Sequence, residues 1–272
     1  MTLDAPGFGV AGPPKPRTGT PAKADDRRGY AAVSVAACLT AILAWQVAAW
    51  LGGDSSVLPT PVEVLAALGD LAESGELRLH LQASLGRLAV GWTLGALIGT
   101  ALGILISLHP LVRAAALPLV MILFTIPKIA LLPLFIVWLG IGEASKIATI
   151  AVGVFSPMVV ATYSGIDAVD PSLVRMARSF GLSSASVVRK VLLPGAMPAL
   201  IAGVRLTSSI AIVLLVAAEM IGARYGVGAL AMNAGSLIRT DRLFAAVVVL
   251  GLLGLLVSLA IGAAERRLLR WR

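Results

Sequence analysis

Long stretches of this chain carry no charge, and short polar segments separate them. Residues 29–53, 88–108, 147–166 and 243–264 contain no Asp, Glu, Lys or Arg. A helix needs about 20 mostly apolar residues to cross a bilayer, so each run is long enough to be a span. Two further apolar regions are interrupted. Residues 114–142 hold one charge, Lys128, and three prolines, Pro118, Pro127 and Pro133. That region is long for one straight helix and short for two, which predicts a single broken span. Residues 198–221 carry Arg205 towards one end and Glu219 towards the other. The pattern predicts an all-α, polytopic membrane bundle of about six transmembrane helices.

The polar segments have patterns of their own. In 59–75, Thr60 can cap a helix whose first position is Pro61. Val64, Leu65, Leu68 and Leu71 then recur at helical spacing, predicting an amphipathic helix on the outer surface. In 167–197, Asp170 precedes Pro171, again a cap followed by a first-turn proline. Leu173, Met176, Ala177 and Phe180 share one face at i, i+3, i+4 and i+7. Gly181 follows where a helix ends in a left-handed residue, and Ser183 or Ser184 can cap a second short helix that meets Leu193-Pro194. The apolar face of the first helix needs a cover. Membrane surface or the chain's own loops would serve, and so would a groove in another protein.

Composition sharpens the picture. The chain is 58% hydrophobic and 13% charged, against about 25% charged in soluble domains, so much of its surface must face lipid. The net charge of +8 lies in clusters between apolar runs, which suits membrane orientation rather than nucleic-acid binding. Residues 1–28 are rich in Pro, Gly, Lys and Arg and have no apolar run. They read as a disordered cytoplasmic tail ahead of a membrane domain over 29–272. Basic residues gather before the first span, in 167–197 (Arg175, Arg178, Arg189, Lys190) and after the last span. Six spans put those three segments on one side, the cytoplasm, with both termini there. Segment 54–76 is acidic and lies opposite, whereas 222–242, also expected outside, holds Arg224, Arg239 and Arg242. The lone cysteine, Cys38, permits no intrachain disulfide and reads as a packing residue.

Inside the membrane, Lys128 is either an attraction point for an anion or a support for the carbonyls of its broken helix. Glu219 and Arg205 sit near span ends, where water is within reach, and read as structural or interfacial. Lys128 and Glu219 are the candidate pathway residues. Gly91, Gly95, Gly99 and Gly103 form a smooth stripe on one helix, suited to packing inside one subunit or at an interface between two.

The cytoplasmic segment carries a resemblance. Permeases of binding-protein-dependent importers have a loop of the form E-A-A-x-x-x-G-x(9)-I-x-L-P. Here Arg175-Met176-Ala177, three residues, Gly181, nine residues and Val191-Leu192-Leu193-Pro194 follow the same spacing. Arg175 and Met176 replace the pattern's Glu and Ala. The stretch from Pro127 to Gly142, Ala218-Glu219-Met220-Ile221-Gly222 and the ending Glu265-Arg266-Arg267 resemble the nitrate, sulfonate and taurine importer group.

The resemblance covers roughly residues 80–272 and implies a type I ABC importer permease fold. It further implies a homodimer, two ATPase subunits that bind the ATP and Mg, and an external solute-binding protein. In that scheme each ATPase grips the coupling loop at Leu173, Arg175, Met176, Ala177, Phe180, Gly181, Val191, Leu193 and Pro194, in the bacterial inner membrane. No cofactor is expected in this chain. No G-x-x-x-x-G-K-[ST] occurs, and His80 and His109 lie at span ends, so no ATPase, metal or triad chemistry is suggested. The alternative is a secondary transporter driven by an ion gradient, a class that often shows related halves. No clear internal repeat is visible, and a coupling loop has no role in that class.

Overall fold

The computed structural model describes residues 24–53 and 57–268. The chain divides into two units, 1–48 and 49–272. The described portion of the first is most of helix α1 (Ala24–Gly52), whose stretch Val33–Gly52 has a mean hydropathy of 1.7 and is long enough to cross a membrane. The expected tail 1–28 falls largely outside the described residues, and the helix is already formed at Ala24.

The second unit is built of helices joined by short loops, with no strand among its described residues. A short helix α2 (Pro61–Glu73) precedes the long α3 (Glu76–Leu108). Then come α4 (Pro110–Thr125), a 3-10 turn at Lys128–Leu131, α5 (Leu132–Leu139) and α6 (Glu143–Asp167). Beyond α6 lie α7 (Pro171–Ser179), α8 (Ser184–Val187), α9 (Leu193–Met220), α10 (Val227–Ser236) and α11 (Thr240–Leu268).

Helix α2 starts as its sequence requires. Thr60 Oγ1 accepts from the Glu63 amide at 3.3 Å, while the Glu63 carboxylate accepts from the Thr60 amide at 2.7 Å. Its buried stripe is Val64, Ala67 and Leu71, packed on α3 and α11. Leu65, expected on that stripe, is exposed instead, because the contact face is narrower than the run of leucines suggests.

The glycine stripe builds the centre of the unit. A Cβ on Gly95 would run into the Ala151 carbonyl oxygen, and one on Gly99 would stand 2.7 Å from that of Phe155. Gly91 meets Ile147 and Ile150, and Gly103 meets Val159 and Thr162. Backbones this close admit no side chain, so the stripe packs inside one subunit.

The order of these contacts also fixes the path of the chain. Numbers rise together on α3 and α6, so the two helices run parallel. The chain must therefore return across the bundle between them. The return is made by α4 and α5, joined through a bend of 95° at residues 126–127. Arg113 near the start of α4 pairs with Asp167 at the end of α6 at 2.9 Å, which places that start at the same end as the loop 167–197. The broken pair is thus one crossing, which brings the candidate spans among the described residues to six.

Helix α9 runs antiparallel to α6. Gly165 lies against Ala196 and Ala199, Gly203 against Ala161, and Gly153 against Leu214. Its entry is unusual. Pro194 has no amide hydrogen to donate, and its ring crowds the preceding turn. The chain widens into one π-turn, Val188–Leu192, between α8 and α9, and all three form one continuous helix.

Candidate functional site

At the loop end, α7 is held rigid at both tips. The Asp170 carboxylate accepts from the Ser172 amide at 2.8 Å, and Pro171 occupies the first turn. That hydrogen bond holds the Asp170 carboxyl below its ordinary value, and the Arg175 charge adds to it. At the far tip, Gly181 takes φ +77°. Its amide donates to the Arg178 carbonyl at 2.9 Å, and the Leu182 amide donates to that of Ala177 at 3.2 Å. These two bonds are the double closure of a Schellman motif, which needs a left-handed residue at the Gly181 position.

The face predicted from spacing divides in two. Ala177 points into a small core with Ile166, Val187, Leu192 and Ala196, bordered by half-buried Val174, Leu182 and Val191. Leu173, Met176 and Phe180 point away from it, with Phe180 77% exposed. Arg175 and Gly181 are exposed, while Leu193 and Pro194 are half-buried where the loop enters α9. The loop residues expected from the motif therefore do two jobs. Ala177, Val191, Leu193 and Pro194 fix the helix on the bundle, and Leu173, Met176 and Phe180 form a bare apolar ridge.

At the opposite end a charged cluster lies inside the bundle. Glu219, expected near solvent, has a fully buried side chain. Its carboxylate accepts from Ser84 Oγ at 2.8 and 3.0 Å, from Arg87 Nη1 at 2.7 Å and from the Gly228 amide at 2.9 Å. Arg87 grips Glu143 in a two-pronged ion pair, through Nε at 2.5 Å and Nη2 at 2.6 Å, and donates to the Tyr225 carbonyl at 2.6 Å. The Nδ1 of His80 lies 2.7 Å from the Gly226 carbonyl oxygen and 3.0 Å from the Gly226 amide. The sequence places Glu219 at a span end, but α10 and its approach fold back over that end and exclude water. Gly226, at φ +140°, has no room for a Cβ, which would collide with the Glu219 carboxylate.

Arg87, Ser84, His80 and Glu143 are not legible from sequence as partners of Glu219. One signal is available: His80, Ser84, Arg87 and Gly91 follow i, i+4, i+7, i+11 and continue the glycine stripe. Lys146 is also buried there, donating to the carbonyls of Ile141 and Gly142 at 2.6 and 3.0 Å. Arg205 pairs with Glu265 at 2.5 Å near the loop end, half-exposed.

Lys128 sits at the break between α4 and α5. Its Nζ donates to the Phe124 carbonyl at 2.5 Å and lies 5.2 Å from the centre of the Phe124 ring. The structure does not bring Lys128 and Glu219 together as hydrogen-bonded or ion-paired partners. Among the described residues, no cluster of His, Cys, Asp and Glu suits a metal ion.

Residues 94–270 match the family of binding-protein-dependent transport system inner membrane components. The chain belongs to this family. The permease is 40% identical over 232 residues to the putative aliphatic sulfonates transport permease protein SsuC of Bacillus subtilis, covering 85% of this chain and 84% of that one. It is 35% identical over 232 residues to the taurine transport system permease protein TauC of Escherichia coli, covering 84% of each. A solved inward-facing structure of the MetNI methionine ABC transporter aligns with 71% of the permease and 95% of its own chain. The TM-score there is 0.61 at 26% identity. The all-α importer permease fold expected from the loop motif is therefore the fold observed. The chain is the membrane-spanning permease subunit of an ABC importer.

Proposed function

We propose that the permease imports a small organic anion of the sulfonate class, powered by a separate ATPase that docks on α7. The observation that carries this is the bare ridge of Leu173, Met176 and Phe180 on a helix capped at both ends. Apolar side chains on a rigid loop helix lose free energy in water, roughly 1.5–3 kcal/mol for each large one left uncovered. A groove in a partner removes that penalty, and anchors at i, i+3 and i+7 suit a helix-in-groove contact.

The loop end also carries Arg113, Arg175, Arg178, Arg189 and Lys190, so the positive-inside rule assigns it to the cytoplasm of the bacterial inner membrane. ATP and Mg then belong to the ATPase, two copies of which serve two copies of this permease, and an external binding protein delivers the solute. The sulfonate class is taken from the names of the relatives. In the working cycle, ATPase closure pushes α7. Because α7 is keyed through Ala177 and the Schellman turn to α6 and α9, the push reaches the spans as a rigid-body motion.

The test is co-purification of the permease with its ATPase. Phe180→Asp puts a charge on the ridge, and Gly181→Val removes the left-handed turn. Each is expected to weaken ATPase binding by tenfold or more, on the order of a hot-spot substitution, while the permease still reaches the membrane. Normal co-purification of both variants would refute the docking reading.

A further inference from the structure

Lys128 is the only charge between residues 114 and 142, and its depth can be read from its neighbour. It lies against Gly153, where a Cβ would meet Lys128 Cγ at 3.8 Å. Gly153 stands ten residues from the start of α6 and fourteen from its end, or about 15 and 21 Å at 1.5 Å per residue. Lys128 therefore sits close to the middle of the bundle, on a stretch that remains partly exposed.

Four other cations on the span helices are answered, while Arg78, Arg266 and Arg267 lie in the end turns of α3 and α11. Arg87, Arg113 and Arg205 each pair with a carboxylate, and Lys146 donates to two carbonyls. The Lys128 ammonium has three N–H donors and makes one hydrogen bond, to Phe124, and among the described residues no carboxylate pairs with it. One turn further along α6, Ser156 is fully buried, and its Oγ has no hydrogen-bond partner among the described residues. Intramembrane cations without a counter-charge are rare, and they mark solute and ion paths.

We propose that the Lys128 ammonium binds the anionic group of the solute as it crosses the middle of the membrane. The inference rests on the permease reading above and deepens it: the break between α4 and α5 becomes the point where the solute's negative charge is met. The Phe124 carbonyl holds the ammonium in place without neutralising it.

The charge and the hydrogen bond can be separated by substitution in the reconstituted complex of permease, ATPase and binding protein, with ethanesulfonate as solute. Lys128→Gln keeps an N–H for Phe124 and loses the charge, while Lys128→Arg keeps both. The expected result is uptake at least about tenfold slower for K128Q and within about twofold of the parent for K128R, since an ammonium–anion contact is worth about that factor even with strong solvent screening. ATP hydrolysis stimulated by the liganded binding protein should persist in K128Q.

A second arm uses K128C in a Cys38→Ser background. Treatment with 2-aminoethyl methanethiosulfonate restores a positive charge and should restore uptake, whereas the 2-sulfonatoethyl reagent should not. K128Q uptake within twofold of the parent, equal loss in K128Q and K128R, or no recovery with the aminoethyl reagent would each overturn the inference. If the parent complex shows no ATP-dependent uptake of ethanesulfonate, the sulfonate reading of the proposed function fails instead.

Discussion

Arg87 shows how little of a residue's role follows from its identity alone. An arginine one residue before an uncharged run reads as a marker of the membrane boundary. In the fold it holds Glu219 and Glu143 together from inside the bundle. Breaking a buried pair on one side leaves the other charge stranded, at a cost of about 3–5 kcal/mol. Arg87→Met is therefore expected to lower the midpoint of thermal unfolding in detergent sharply. Glu219→Gln should do less harm, because its one side-chain oxygen can still accept from Ser84 and Gly228 while Arg87 keeps Glu143. Gly226→Ala is expected to behave like the loss of Glu219, since its Cβ displaces that carboxylate. The sequence marks Glu219 as a residue of interest but assigns it to the wrong surroundings. Its burial depends on Ser84 and Arg87 of α3, more than a hundred residues earlier in the chain.

Helix α7 is legible in almost every particular, because each of its signals is local. Asp170, Pro171 and Gly181 act on backbone groups within a few residues, so sequence spacing determines where the helix starts and stops. What spacing cannot assign is which apolar residues face inward. Ala177 belongs to the core and its neighbours on the same stripe do not, a division set by α8 and α9.

The Asp170 cap predicts a pH dependence. Its carboxyl titrates below its ordinary value, so the charged form stabilises the folded loop. That contribution is present in full above the ordinary value, 3.8, and is lost as pH falls through the lower, folded one. Hydrogen-exchange protection of 171–179, corrected for intrinsic rates, should fall in that window. An Asp170→Asn variant should show no such step.

The α3–α6 contact makes a steric prediction of a different kind. Gly95→Leu must force apart backbones that touch at a single carbonyl, and the variant is expected not to fold stably. Membrane yield and resistance to added protease would check it. Gly86, on the same helix but with open space around it, should accept alanine without effect.

The whole molecule makes its prediction through sidedness. The loop 167–197 and the C-terminal end of α11 share one face, and the proposed docking of an ATPase there requires that face to be cytoplasmic. A single cysteine at Ser179 in a Cys38→Ser background should react with a membrane-impermeant maleimide only in inside-out vesicles. Reaction in right-side-out vesicles would overturn the orientation. Uptake into proteoliposomes should require the partner ATPase and ATP; uptake driven by a proton or sodium gradient alone would favour a secondary transporter.

By itself the sequence determined the class of molecule and its local punctuation. Apolar length sets how many helices can cross a bilayer, and caps and prolines set where they start and break. These are short-range effects that a linear pattern records. Tertiary structure added the reason that the single broken span read from the sequence must cross the bundle: the parallel register of α3 and α6 requires a return between them. It also decided which charges meet. Arg87 and Glu219 are separated by 132 residues, and desolvation by packed neighbours makes their pairing obligatory. Lys128 is the converse, a mid-span charge that a backbone carbonyl holds and no carboxylate meets among the described residues.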